Sequence, residues 1–304
     1  MKRVAQCLLL LLLVLSLVGS AGAQDPQTYQ LSVNVDLVVL NATVRDQKGR
    51  VAADLRQQDF EIFEDGVRQD IKLFRHEDIP VSVGLVIDHS GSMRPKLSNV
   101  IAAARTFIQS SSPDDQMFVV NFNENIIRGL PADIPFTNRI DELARAISAT
   151  PATGKTALYD AVWKASEWLA GGIRDKKVLV VISDGGDNAS THTLADVLQA
   201  GNKSNIQVYT IGIFDPDDPD KNPGALRQLA QATGGEAFVP NEVSEVVSVC
   251  ESIAKDIRTQ YTLGYLSSVA RQNGGYHSIK LLARGTGKAK LTVRTRSGYS
   301  GGGQ

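Results

Sequence analysis

The chain has 304 residues, of which 42% are hydrophobic and 21% charged, and a formal net charge of −1. That apolar content excludes a wholly disordered chain, and two cysteines exclude a disulfide scaffold. A charge so near zero, with Lys and Arg scattered, leaves no electrostatic footprint for nucleic acid or an anionic membrane. The length suits roughly two domains.

The first 23 residues read as a signal peptide. Lys2 and Arg3 form a positive start, Leu8 to Val18 is apolar apart from Ser16, and Ala21-Gly22-Ala23 supplies the small-x-small cleavage pattern. The apolar run falls short of the about 20 residues that span a hydrocarbon core. Cys7 precedes it and so is not a lipid acceptor. The expectation is an exported protein, periplasmic or at the cell surface after cleavage near Ala23, with no transmembrane segment in the mature chain. Cys250 is then alone. At helical spacing with Val246, Val247 and Ile253, it reads as a small buried hydrophobe.

From Tyr29 to Leu40 apolar residues alternate, with Leu31, Val33, Val35, Leu37 and Val39 on one strand face. The turn Asp46-Gln47-Lys48-Gly49 follows. Phe60 and Ile62, then Ile71 and Leu73, mark two short strands around the Asp65-Gly66 turn. Val81 to Ile87 is a nearly continuous apolar run, as in strands buried on both faces of a parallel sheet. Thereafter helices (about 95–109, 139–147, 157–169, 194–200, 225–232 and 243–258) alternate with strands (117–122, 178–182, 206–213 and 237–239). This alternation predicts an open, doubly wound, mostly parallel α/β sheet with helices on both faces. After Gln260 three β segments return: Tyr261 to Leu266, Tyr276 to Leu282 and Ala289 to Thr295. Each β end alone leaves apolar strand faces uncovered. The organisation expected is therefore a β segment over 24–79, an α/β domain over 80–259, a C-terminal β segment over 260–299 pairing with the first, and a disordered tail over 300–304.

Three loops carry the chemistry. Asp88-His89-Ser90-Gly91-Ser92 follows the first buried strand. Thr153-Gly154-Lys155-Thr156 precedes a helix. Ser183-Asp184-Gly185-Gly186-Asp187 follows the strand ending at Ile182. In an open α/β sheet, loops at strand carboxyl ends converge on the ligand crevice. Oxygen donors with few carboxylates suit a hard cation rather than zinc.

Asp88-x-Ser90-x-Ser92, then Thr156, then Asp184 resemble the metal-ion-dependent adhesion site of von Willebrand factor type A domains, over about Pro80 to Arg258. Asp59 to Gly66, Tyr261 to Tyr265 and Phe214 to Asp220 are similar to the exported bacterial group called VWFA-related Acidobacterial domain proteins. The resemblance implies a Mg²⁺ ion, with Mn²⁺ or Ca²⁺ as alternatives. Ser90, Ser92 and Thr156 would present hydroxyls to it, with Asp88 and Asp184 acting directly or through water. It also implies an open coordination position for an acidic side chain of a partner protein, and a shift of the last helix when the site is filled. His89 is no ligand in that pattern.

Other features carry less. Gly154-Lys155-Thr156 resembles the end of a phosphate loop, but Ala149 stands where its first glycine belongs. Asp88-His89-Ser90 holds triad residue types, yet adjacent residues cannot fold onto one another as nucleophile, base and orienter. His76, His192 and His277 read as isolated, with no metal-ligand spacing among them. Pro216 and Pro219 interrupt the acidic loop from Asp215 to Asp220, which reads as solvated. The function expected is a non-enzymatic protein-binding module. The alternatives are a metal-assisted hydrolase, for which only His89 or Asp187 could be the base, and a scaffold with a purely structural cation.

Overall fold

The computed structural model describes residues 37–268 apart from 216 and 218, together with 275–285 and 290–301. The expected signal peptide and the start of the first expected strand lie outside these residues. Strand β1 (Leu37–Arg45) runs into the Asp46 to Gly49 turn, closed by Gly49 N–H donating to the Asp46 carbonyl at 2.9 Å. Strands β2 (Phe60–Glu64) and β3 (Val67–Gln69) are joined through Asp65 and Gly66, with φ of 48° and 82°. Two successive positive φ values give the turn that matches the twist of a tight hairpin. Strand β4 (Ile71–Arg75) follows.

Two expectations are corrected here. The inward face of β1 is Val38, Leu40, Ala42 and Val44, while Leu37 is exposed. Both faces of Leu37-Val38-Val39-Leu40 are apolar, so alternation alone cannot say which one the sheet covers. The second correction concerns the hairpin partner of β2, which is β3 and not the Ile71–Leu73 segment. β4 instead crosses to the other sheet.

The α/β unit begins with β5 (Val81–Asp88), wholly buried as its apolar run requires, and α1 (Leu97–Gln109). Next come β6 (Gln116–Phe122), β7 (Ile126–Arg128), α2 (Ile140–Ile147), α3 (Leu158–Ala170) and β8 (Lys176–Ser183). The unit ends with α4 (Leu194–Lys203), β9 (Ile206–Gly212), α5 (Pro223–Thr233), β10 (Ala237–Phe238) and α6 (Val246–Arg258). The sheet order is β10-β9-β8-β5-β6-β7, parallel except for β7, a short edge strand absent from the expected elements. Helix α1 packs against both α2 and α6, and α4 against both α3 and α5, so each set covers one face. None of the helices among the described residues is long and apolar enough to cross a membrane.

Cys250 lies fully buried in this core, and burial pushes its thiol up to about 12. A thiol so protonated is a poor nucleophile. A maleimide probe followed by peptide mapping is expected to label Cys250 only after unfolding, and labelling of the native protein within minutes would contradict this packing.

The chain ends with β11 (Tyr261–Leu266), β12 (Tyr276–Ala283), β13 (Thr292–Arg294) and β14 (Gly298–Ser300). Ser300 therefore closes a strand rather than opening a tail, and residues 302–304 lie outside the described ones. β11 pairs with β1 and β4, and β12 pairs with β2 and β14. The sheets β13-β1-β11-β4 and β14-β12-β2-β3 enclose a second core, including Leu40, Phe60, Ile62, Tyr261 and Leu263. Both chain ends thus build antiparallel sheets around an inserted α/β unit.

Candidate metal centre

β5 and β8 are neighbours in the sheet, and the chain leaves β5 toward β6 on one side and returns to β8 on the other. Such a switch point opens a crevice at the strand carboxyl ends. Asp88 ends β5 there, fully buried. Its Oδ1 accepts the Ser90 backbone N–H at 2.8 Å, and its Oδ2 accepts the Ser183 hydroxyl at 2.6 Å. Asp184, 2% exposed, follows at the end of β8. Its Oδ2 accepts the Ser92 hydroxyl at 2.6 Å, and Ser92 Oγ lies 3.1 Å from Ser90 Oγ. Asp184 Oδ1 accepts the Gly186 N–H at 3.1 Å. Four of the five expected site residues therefore meet through short hydrogen bonds.

The second loop is laced to both others by its backbone. Gly91 N–H donates to the Gly154 carbonyl at 3.1 Å, and Thr153 N–H to the His89 carbonyl at 2.9 Å. Thr156 N–H donates to Asn188 Oδ1 at 2.9 Å, and its carbonyl accepts from Asn188 and Ala189 at 2.9 and 3.0 Å. Thr156 thus sits against the third loop, but no hydrogen bond of the described residues joins its hydroxyl to the other four. Gly154 has φ of 82°, and a Cβ there would strike the Glu124 carboxylate, which accepts the Lys155 N–H at 2.8 Å.

The electrostatics are one-sided. Burial first, and then the charge of Asp184, push the Asp88 carboxyl up to about 6. Among the described residues no Lys, Arg or His forms an ion pair with either carboxylate. Two buried like charges without a basic partner are unfavourable unless a cation or a proton joins them. Carboxylate and hydroxyl oxygens are the donors a hard divalent cation takes. Asp88, Ser90, Ser92 and Asp184 fit such an ion in chemistry and proximity.

Both side chains considered as a base are tied into the loops. The His89 ring is buried, its Nδ1 lies 2.8 Å from the Thr150 carbonyl, and burial lowers its pKa. It staples the first loop to the second. Asp187 Oδ2 accepts the Tyr159 N–H at 2.9 Å and the Ser190 hydroxyl at 2.6 Å, at the half-buried amino end of α3. Ser183, which holds Asp88, went unrecognised from sequence because only the β5–β8 pairing brings the two together. The histidines are not isolated either: His76 stacks on Tyr261, His192 meets Asp160, and His277 Nδ1 lies 2.8 Å from Asp65.

Residues 82–251, more than half of the chain, match the sequence profile of the von Willebrand factor type A domain. The chain is 23% identical over 265 residues to mouse inter-alpha-trypsin inhibitor heavy chain H2, covering 82% of this chain and 27% of that protein. Among solved structures it resembles a von Willebrand factor type A protein from Catenulispora acidiphila, with a TM-score of 0.53, 16% identity, and coverage of 87% and 75% of the two chains. It also resembles the manganese-loaded TRAP protein of Plasmodium vivax, with a TM-score of 0.47, 15% identity, and coverage of 78% and 98%.

Proposed function

The chain belongs to the von Willebrand factor type A domain family, and on that premise we propose that it is an exported, non-enzymatic protein-binding module. It takes a Mg²⁺ ion, or Mn²⁺ or Ca²⁺, at Asp88, Ser90, Ser92, Thr156 and Asp184, and captures an acidic side chain of a partner protein. The signal-peptide pattern of residues 1–23 supports export to the periplasm or cell surface. The flanking motifs Asp59 to Gly66 and Tyr261 to Tyr265 support membership of the VWFA-related Acidobacterial group.

The observation that carries this reading is the pair of buried carboxylates, Asp88 and Asp184, bonded to serine hydroxyls and without a basic partner among the described residues. The ion, when bound, supplies residual positive charge at a position a carboxylate oxygen can take. The chain's own residues do the rest. Ser183 and the Ser90 amide fix the Asp88 carboxyl, Ser92 orients Asp184, and the Gly91–Gly154 and Thr156–Asn188 bonds hold the three loops at one spacing. Asp187, bonded to the Tyr159 amide and the Ser190 hydroxyl, is engaged in holding its loop to α3, which speaks against its acting as a hydrolase base.

The test is capture from envelope extract by the wild type and by Asp184→Ala, each with Mg²⁺ and with chelator. Retention of a protein by the wild type in Mg²⁺ alone is expected. Equal retention by Asp184→Ala, or in chelator, would count against the reading.

A further inference from the structure

The second sheet of the β region holds another cluster of ligand-type side chains, on strands other than those that form the β5–β8 crevice. Glu64 ends β2, Asp65 opens the turn after it, and His277 lies on β12, which pairs with β2. One nitrogen and one oxygen from each carboxylate all lie within 4.8 Å of one another. His277 Nδ1 is 2.8 Å from Asp65 Oδ2 and 3.5 Å from Glu64 Oε1.

The cluster is held from outside. Asp65 Oδ1 accepts the Ser278 N–H at 2.8 Å and the Ser278 hydroxyl at 3.0 Å, leaving Oδ2 for the ring. These bonds, led by the Ser278 amide, hold the Asp65 carboxyl below its usual range. Tyr299 stacks on the His277 ring and donates its hydroxyl to Glu64 Oε1 at 2.8 Å. Glu64 is fully buried, and its Oε2 has no hydrogen-bond partner. The Tyr265 hydroxyl also faces the Glu64 carboxylate, and burial and then that charge raise its pKa.

Charge makes the arrangement incomplete. Among the described residues, His277 is the basic group paired with Glu64 and Asp65. Arg296 gives its donors to the carbonyls of Gly298, Ser204 and Asn202 instead. Even a protonated His277 would leave one negative charge over, beside a buried, unpartnered carboxylate oxygen, which is a costly state.

We propose that Glu64, Asp65 and His277 bind a second divalent cation, of the borderline class represented by Zn²⁺, across the two ends of the chain. One imidazole nitrogen with two carboxylates selects such an ion over Mg²⁺, which takes all-oxygen octahedra. Ligand atoms about 2.1 Å from a tetrahedral ion lie about 3.4 Å apart. The 3.5 Å separation already fits, and the 2.8 Å one opens by a small movement of Asp65, which sits on a half-exposed turn. His277 and Asp65 are 212 residues apart, so the ion staples the N-terminal hairpin to the C-terminal strands. Its binding energy then adds to folding stability.

The experiment is a Zn²⁺ titration of the full chain, read by calorimetry and thermal melting, on the wild type, His277→Gln, Asp65→Asn and Asp184→Ala. Zn²⁺ at a hundredfold excess over Kd is expected to raise Tm by about 5–10 °C in the wild type and equally in Asp184→Ala. Asp65→Asn and His277→Gln should lose at least tenfold in affinity. Should His277→Gln fail to fold, Asp65→Asn on the surface turn decides the matter. The proposal is overturned if the wild type shows no Zn²⁺ response, or if the response survives both substitutions. Retention of the response in Asp184→Ala separates this site from the one in the β5–β8 crevice.

Discussion

Asp256→Ala is expected to lower the unfolding free energy by about 3–5 kcal/mol, the range for removing one partner of a buried ionic network. Asp256 lies in the last turns of α6 and is 1% exposed. Its Oδ2 accepts the Tyr209 hydroxyl at 2.8 Å, the Thr43 hydroxyl at 3.2 Å and an Arg294 N–H. Its Oδ1 accepts Arg45 Nη2 at 2.9 Å. Thr43 and Arg45 belong to β1, Arg294 to β13 and Tyr209 to β9, so one carboxylate joins both chain ends to the α/β sheet. Truncation would leave Arg294, 22% exposed at its side chain, with Glu236 at 3.2 Å as its remaining charged partner, beside the Thr43 hydroxyl at 3.1 Å and the Gly234 carbonyl at 3.4 Å. Urea unfolding measures the effect, and Asp256→Asn should fall between wild type and Ala because it keeps the shape but not the charge. A loss below about 1 kcal/mol would mean that this carboxylate contributes little to holding the two regions together.

The α/β unit was legible because strands buried on both faces read as nearly continuous apolar runs, and Val81–Ile87 and Val178–Ile182 are such runs. The three loops were legible for a related reason: once those strands are parallel, Asp88 and Asp184 must leave the sheet at the same edge. What sequence could not supply was the outcome of pairing. The covered face of β1 depends on β11 and the second sheet. Three-residue strands such as β3 and β7 are too short to show a period of two. Ser183 reads as an ordinary strand end until β8 lies beside β5, and His277 stays an isolated histidine until β12 pairs with β2.

The same charges that suit the crevice for a cation weaken the protein without one. Asp88→Asn should therefore stabilise the chelated protein while abolishing its response to Mg²⁺. The Asp88 carboxyl is raised from 3.8 to about 6 by burial and by Asp184. A folded value above the unfolded one means that the folded protein binds the extra proton between about pH 4 and 6, so stability falls as pH rises through that window. Above pH 6 the full penalty applies, roughly 3 kcal/mol at 1.36 kcal/mol per unit. Asn can still accept from the Ser90 N–H while its amide faces the Ser183 oxygen, so the hydrogen bonds at 2.8 and 2.6 Å need not be lost. At pH 7.5 in chelator the variant should melt several degrees above wild type, and the gain should vanish by about pH 4. Adding Mg²⁺ should raise the wild type toward or past the variant and leave the variant unmoved. An Asn variant that melts no higher in chelator would show that the ionised Asp88 carboxylate, buried beside Asp184, costs the folded protein nothing, and one that still responds to Mg²⁺ would remove Asp88 from the site.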